Sequence, residues 1–517
     1  MKNISKKILT TITILFITSA YSFAQLSANM QTMIDNLDMS AKKRATAGEF
    51  SSDSDKLNAK NVFDLNRTIF SAGYVPNLNS SSNQVIQAFF GVPILNNAMY
   101  FGFAGAYAMS ESRSDYVNPT TTSTAGTTPN YLGKRVTTAS SFAIRPVLKI
   151  NDMVSIHYMI ARGGTKSSTN GYVYHTDDRN YKVITNSIAN TEWVHELAVG
   201  LAFGDMKFKI PITFYIKNNN YTKNYSKTIT GNFIDDANYG NKEDIVGGTN
   251  VNHSPVKMTL SPEFSMALVS GPMTAINASL TLGFDIYNPY KKTTTYTNSK
   301  NETVVAGVTN NNTANTSVID NREKIFGMEF DINAYPTLEW SLSDNRVQLI
   351  MEPKVGLSVS FSNSGNTATT TKYDANDYTG NPDGTMIDLP TSSEATVISQ
   401  NKVSSVITTP YVSLPIGTVL RPVNWFEFRA GLSYSLGFEM KNIYTEYLAG
   451  GKSKSFNYRF TSTMELFTGI GFIIGEDFFI DLFLAAGTRF AGSTTTTTTG
   501  KSIFDIDAWG AQLSYRL

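Results

Sequence analysis

The stretch Trp425–Met440 reads WFEFRAGLSYSLGFEM, and every second residue from Phe426 is apolar: Phe426, Phe428, Ala430, Leu432, Tyr434, Leu436, Phe438, Met440. The intervening positions carry Glu427, Arg429, Ser433, Ser435 and Glu439. Successive side chains of a strand point to opposite faces, so this is one long strand with an oily face and a charged one. The same rule holds in 206–217, where Phe208, Ile210, Ile212, Phe214 and Ile216 alternate with Lys207, Lys209, Thr213 and Lys217. It holds again in 346–361 and 502–517.

Between such segments the chain has a fixed rhythm. Tight turns fall at 93–97, 151–152, 204–205, 271–272, 343–345, 422–424 and 475–477. Long polar stretches fall at about 111–137, 164–190, 218–254, 289–321, 363–402, 441–454 and 492–501. The seven hairpins this defines, a last strand over 502–517 and a first over 62–74 predict about sixteen strands. A soluble β-sandwich also wets one face of each strand. Its strands, however, are typically about 5–6 residues long, and its outer face does not carry large aromatics throughout.

An even number of long alternating strands, short turns on one side and long loops on the other predict an all-β transmembrane antiparallel up-and-down β-barrel, with short periplasmic turns and long extracellular loops. In hydrocarbon every backbone polar group must be paired, which only a closed sheet achieves. No stretch after residue 25 is apolar long enough for a spanning helix.

The composition narrows the function. Of the 517 residues 41% are hydrophobic and 16% charged, and 43 basic residues face 42 acidic ones, so no electrostatic footprint for nucleic acid is present. Residues 1–24 read as a signal peptide cut before Gln25: Lys2, Lys6 and Lys7, an apolar run over Ile8–Ile17, then the small-residue site Ser22-Phe23-Ala24. Cysteine is absent, which excludes disulfide staples and thiol chemistry. Residues 25–61 fit no strand. Leu26, Met30, Met33, Ile34 and Leu37 share a helical face, so this periplasmic N-terminal segment is expected to be a short helix and tether or, alternatively, a plug within the barrel of residues 62–517.

The signal peptide, the lack of cysteine, the alternating strands and a final IFDIDAWGAQLSYRL resemble the outer-membrane porins and related transport barrels of diderm bacteria. That resemblance implies an outer-membrane protein placed by a barrel-assembly machinery, surrounded by outer-membrane lipid and passing small hydrophilic solutes. Two departures stand out. The chain ends on Leu517 instead of an aromatic residue, and it is longer than a typical porin, the surplus lying in its loops.

Strand parity places on the inner wall Arg145, Lys149, Glu192, Glu196, Lys207, Lys209, Lys257, Glu263, Glu329, Asp331, Glu352, Lys354, Glu427, Arg429, Arg459, Glu465, Asp481 and Arg489. So many charges without partners would not survive in a dry interior, so they are expected to line a wet pore. In the resembled porins the third outer loop folds inward. The third here is 164–190, and its Asp177, Asp178 and Arg179 are candidate constriction residues. No catalytic residue, cofactor or metal is expected: His157, His175, His195 and His253 share no ligand spacing, and Glu192 and Glu196 stand about 13 Å apart on one strand face. Two other readings stay open. The Thr/Asn/Ser-rich loops suit a surface-exposed adhesin or antigen, binding host or environmental ligands and anchored by the barrel. Residues 26–50 would suit the hatch of a transporter for hydrophobic compounds, against which the inward charge argues.

Overall fold

The computed structural model describes residues 28–38, 40–76, 84–95, 98–116, 130–174, 180–231, 241–268, 271–287, 290–303, 309–322, 324–375, 378–380, 386–388, 395–447, 451–475, 477–492 and 506–516. The expected signal peptide and the trio Asp177, Asp178, Arg179 lie outside these residues.

Sixteen antiparallel strands form one closed barrel. The first seven are β1 (Ile69–Pro76), β2 (Gln84–Ile94), β3 (Met99–Tyr116), β4 (Asn130–Lys149), β5 (Val154–Tyr174), β6 (Asn180–Phe203) and β7 (Met206–Gly231). Four more are built in pieces. β8 comprises Asn241–His253, Val256–Leu260 and Glu263–Ala267; β9 comprises Met273–Tyr287 and Tyr290–Thr303. β10 comprises Thr309–Arg322 and Lys324–Leu342, and β11 comprises Val347–Met351 and Lys354–Ala375. The last five are β12 (Ala395–Val423), β13 (Phe426–Glu446), β14 (Lys452–Ile474), β15 (Phe478–Gly492) and β16 (Ile506–Arg516). Each strand pairs with its sequence neighbour, and β1 closes the ring on β16 with Ile69 opposite Arg516 and Phe70 opposite Tyr515. The breaks in β8 fall at Ser254-Pro255 and Ser261-Pro262, and that in β11 at Glu352-Pro353, where proline has no N–H to give the ladder.

The alternation sets the faces as expected. Ile210, Ile212, Phe214 and Ile216 are each 41% exposed on the outside of β7, while Tyr215 between them is buried inside. Phe208 to Ile216 spans about 27 Å of strand, and a barrel tilt of 35–45° brings this to about 20 Å, close to the apolar band of a membrane barrel. Trp425 stacks on Phe472 at the short-turn edge of this band, and Trp193 sits near the other edge, as aromatic girdles do.

Several strands outrun the alternation that revealed them. β7 continues through the polar 218–231, and β5 and β6 stay paired up to Tyr174 opposite Tyr181. Backbone pairing needs no apolar face, so the ladder continues beyond the band. The described parts of 164–190 are therefore hairpin arms in register, and the tip expected to constrict the pore lies outside the described residues. The expected first strand also starts later: Val62–Asp64 is a 3-10 turn, because Val62 and Leu65 are buried against the inner wall, and β1 begins at Ile69.

The apolar core lies between that wall and the N-terminal segment. Residues 28–38 and 40–65 sit inside the barrel and are not a tether beside it. Helix α1 (Ala28–Asp35) packs on β3, β4 and β5, and α2 (Ala41–Ala45) on β13 to β16. Met30, Met33 and Leu37, the face expected of an amphipathic helix, are at most 1% exposed. Ser40 caps α2, its Oγ accepting from Lys43 N (3.1 Å), and its own N and Oγ both donate to Asp55 (2.6 Å each). Asp55 thereby ties the helix to the 3-10 turn Asp53–Lys56 and folds the plug on itself.

Candidate functional site: the plugged lumen

The inner wall meets the plug through side chains that the sequence marks only as inward. Arg145 on β4, 2% exposed, donates to Asp38 through both terminal nitrogens (2.8 and 2.7 Å), and to the carbonyls of Leu37 (3.1 Å) and Leu57 (2.9 Å). Burial raises the Asp38 carboxyl pKa, but the Arg145 guanidinium outweighs burial and holds it well below the usual carboxylate range. On β5, His157 Nδ1 accepts from Ala59 N (2.9 Å) while Nε2 meets Glu196 (2.7 Å), an arrangement that fixes the ring with its proton on Nε2. Ser155 Oγ donates to Ala59 O.

Around the rest of the ring, Gln87 Nε2 donates to Asn36 O (2.6 Å), and Gln512 links Ala41 N (2.6 Å) and Ser54 Oγ (3.1 Å). Lys207 holds Asp64 (2.5 Å) and Lys60 reaches Glu263 (3.4 Å). Near the short turns Glu427 pairs with Arg429 (2.5 Å), Arg421 (2.7 Å) and Lys42 of the plug (3.9 Å), and Arg429 also meets Asp481 (2.7 Å).

Glycines open the wall where the plug comes closest. A Cβ on Gly200 would lie 1.9 Å from Ala59 O, and one on Gly431 would lie 2.4 Å from Ala47 N, so no other residue fits there without moving the plug. Inward glycines at such positions were the signal in the sequence for an internal segment.

The wall β9–β11 differs. None of the hydrogen bonds and ion pairs described between plug and wall falls on it. Its charges bond to the wall itself: Lys257 of β8 to Glu329 (2.9 Å), Thr337 Oγ1 to Glu352 (2.7 Å) and Tyr411 of β12 to Asp331 (3.2 Å), while Lys354 lies over the Tyr335 ring at 4.5 Å. These side chains are half-buried, whereas Arg145, Lys149, Glu192, Glu427, Arg429 and Asp481 are buried. Lys149 pairs with Asp152 (2.7 Å), Glu192 with Lys217 (2.8 Å), and Glu196 and Lys209 with each other (3.4 Å). Arg459 is exposed towards the long-loop end, Glu465 is half-buried, and the Arg489 side chain lies outside the described residues.

No family model matches the sequence, and no curated protein matches it. Solved structures give distant similarities. The Pseudomonas putida toluene transporter TodX aligns over 96% of this chain and 98% of its own at 9% identity and a TM-score of 0.35. A TodX mutant described as a monoaromatic hydrocarbon channel aligns over 92% and 98% at 10% identity and 0.36. The Escherichia coli autotransporter AIDA-I transport unit aligns over 70% and 89% at 10% identity and 0.24. At these values the similarities carry no argument. The strand pairing itself defines the class: a sixteen-stranded β-barrel with a lipid-compatible belt and an N-terminal plug.

Proposed function

We propose that this barrel is an outer-membrane channel for small hydrophilic solutes, whose path runs between the plug and the β9–β11 wall. The observation that carries this reading is the asymmetry of the lumen. One side is sealed by buried ion pairs to the plug, and the other presents half-exposed Glu329, Asp331, Glu352, Lys354, Tyr335 and Tyr411. A polar, part-solvated wall suits hydrophilic solutes, with selectivity set by the field of its charges. Barrel-assembly machinery and outer-membrane lipid are the partners this reading requires. The depth of the plug's seat favours a second reading, a transporter for which the N-terminal segment is the gate.

A disulfide separates the two. The chain has no cysteine, and a Cβ on Gly163 would lie 4.0 Å from Met30 Cβ, inside the range of disulfide geometry. Met30→Cys/Gly163→Cys therefore locks α1 to β5. In planar bilayers the oxidised variant is expected to keep the single-channel steps of the reduced one. Conductance that appears only on reduction would make the plug the gate. A folded barrel with no steps in either state would remove the open-channel reading and leave the gated transporter or the anchored surface protein.

A further inference from the structure

The outer surface bears a pair of cations where the apolar belt ends. Strand register sets Tyr107, Phe142, Arg162, Trp193 and Ile216 side by side across β3 to β7. The next outward-facing row towards the long loops is Met109, Ser140, Gly164, Thr191 and Asn218, so hydrocarbon gives way to polar surroundings at Arg162. The Arg162 guanidinium lies over the Trp193 ring at 5.4 Å, with Phe142 edge-on to that ring at 6.3 Å. His195 also stacks on Trp193 (6.1 Å) and bonds Tyr158 OH (2.7 Å), which fixes the aromatic platform. Lys166 follows four residues further along the same face of β5. Gly164 between the two has no side chain and leaves a notch.

Among the described residues no carboxylate reaches Arg162 or Lys166, and Arg162 Nε is buried with no hydrogen-bond partner. The acid in the same row as Lys166, Glu111, is already held by Arg113 (2.5 Å). A guanidinium at the edge of hydrocarbon costs little, so Arg162 is tolerated there, and a phosphate accepts its fork of N–H donors well. We propose that Arg162 and Lys166 bind the phosphorylated headgroup of a membrane lipid in the leaflet at the long-loop end, with Trp193 and Phe142 against the first carbons of its chains. The proposal rests on the barrel spanning a bilayer and not on conduction.

Trp193 provides the readout. Replacing Trp340, Trp425 and Trp509 by Phe leaves it as the sole tryptophan of four. The full mature chain is reconstituted in phosphatidylcholine vesicles containing phosphatidylglycerol, with bromine on one lipid or the other, and quenching of Trp193 gives the relative occupancy of the two. Enrichment of phosphatidylglycerol is expected, falling about ten- to thirtyfold in Arg162→Gln/Lys166→Gln and only partly lost in Arg162→Lys, which keeps the charge but not the planar fork. Equal quenching by the two lipids, or an unchanged preference in the double variant, would overturn the proposal. Loss of the preference on adding inorganic phosphate alone, at constant ionic strength, would assign the site to a soluble anion and overturn the lipid. Absence of quenching by brominated phosphatidylcholine would show that the band is not in lipid, and would remove the membrane reading as well.

Discussion

The wall β2–β5 and the wall β9–β11 both turn every second residue inward, but the first turns in mostly small and apolar residues such as Val85, Phe89, Ala104, Ala106, Val147 and Ala161 with a few polar ones among them, the second mostly polar and charged ones, and the two reach different ends. Arg145, Gln87, Ser155 and His157 are buried and spend their bonds on the plug. Glu329, Asp331, Glu352 and Lys354 remain half-exposed, and their described hydrogen bonds and ring contacts are to barrel residues, Lys257, Tyr411, Thr337 and Tyr335, and not to the plug. Alternation therefore tells which face of a strand looks inward but not what it meets there. A buried charge needs a partner, and either water or a folded segment can supply one.

The largest effect should come from breaking the plugged side. Arg145→Met removes a bidentate ion pair and two bonds to backbone carbonyls, and leaves Asp38 and those carbonyls facing an apolar side chain. Loss of one member of a buried pair costs about 3–5 kcal/mol; because Asp38 is 36% exposed, about 3 kcal/mol is expected here, near a hundredfold in docking. Protease cutting of residues 28–65 in the reconstituted barrel should rise by about that factor. Asp331→Asn on the opposite wall, where the carboxylate meets Tyr411 of β12, should leave the cutting rate unchanged. Equal protection in the two variants would mean that the asymmetry has no energetic content.

The barrel was legible in the sequence because lipid on one side and polar surroundings on the other impose a period of two, which Phe426–Met440 shows directly. Inward parity was legible for the same reason. The plug was legible only as an amphipathic face at Met30, Met33 and Leu37, which does not say what it packs against. Its partners Arg145, Gln87 and Gln512 lie tens to hundreds of residues away, and their pairing depends on barrel closure. The inward glycines at 102, 200, 417, 431 and 469 held the missing information, since a small residue on an inner face leaves room for a second backbone. Read as ordinary strand glycines, they gave no sign of it. The strand extensions beyond the belt were missed because backbone pairing there has no hydropathy pattern.

The open side is tested by charge reversal. If solutes pass along β9–β11, Lys354→Glu should raise the cation-to-anion permeability ratio roughly severalfold, as charges lining a pore do. Reversal potentials in a salt gradient measure it. The same reversal at Lys217, paired with the buried Glu192 across β6 and β7, should change it less. A larger response at Lys217 than at Lys354 would place the path on the other side of the lumen.

The smallest expected effect lies at the junction of the two regions, where Glu49 of the plug approaches Gly417 of β12. Its Oε2 is buried with no hydrogen-bond partner among the described residues, and burial, reinforced by Glu352 and opposed by Lys354 and Lys43, pushes the carboxyl up to about 9. A carboxyl whose pKa is higher in the docked state than in the free one takes up its proton on docking. Its contribution is thus complete below the ordinary value of 4.5 and is lost as the pH rises through about 9. Across that window the plug should loosen with increasing pH, by only about severalfold in all, because Glu49 is half-buried and water relieves most of the penalty on its charged form. Asp38 acts in the opposite sense, but only in acid, below its ordinary range, so the two do not overlap. Protease cutting of residues 28–65 should therefore be faster at pH 9 than at pH 5 in the native chain, and Glu49→Gln, neutral throughout, should flatten the difference. A slope that survives Glu49→Gln would move the titrating group elsewhere and leave the boundary between the sealed and open walls without a proton-linked contact.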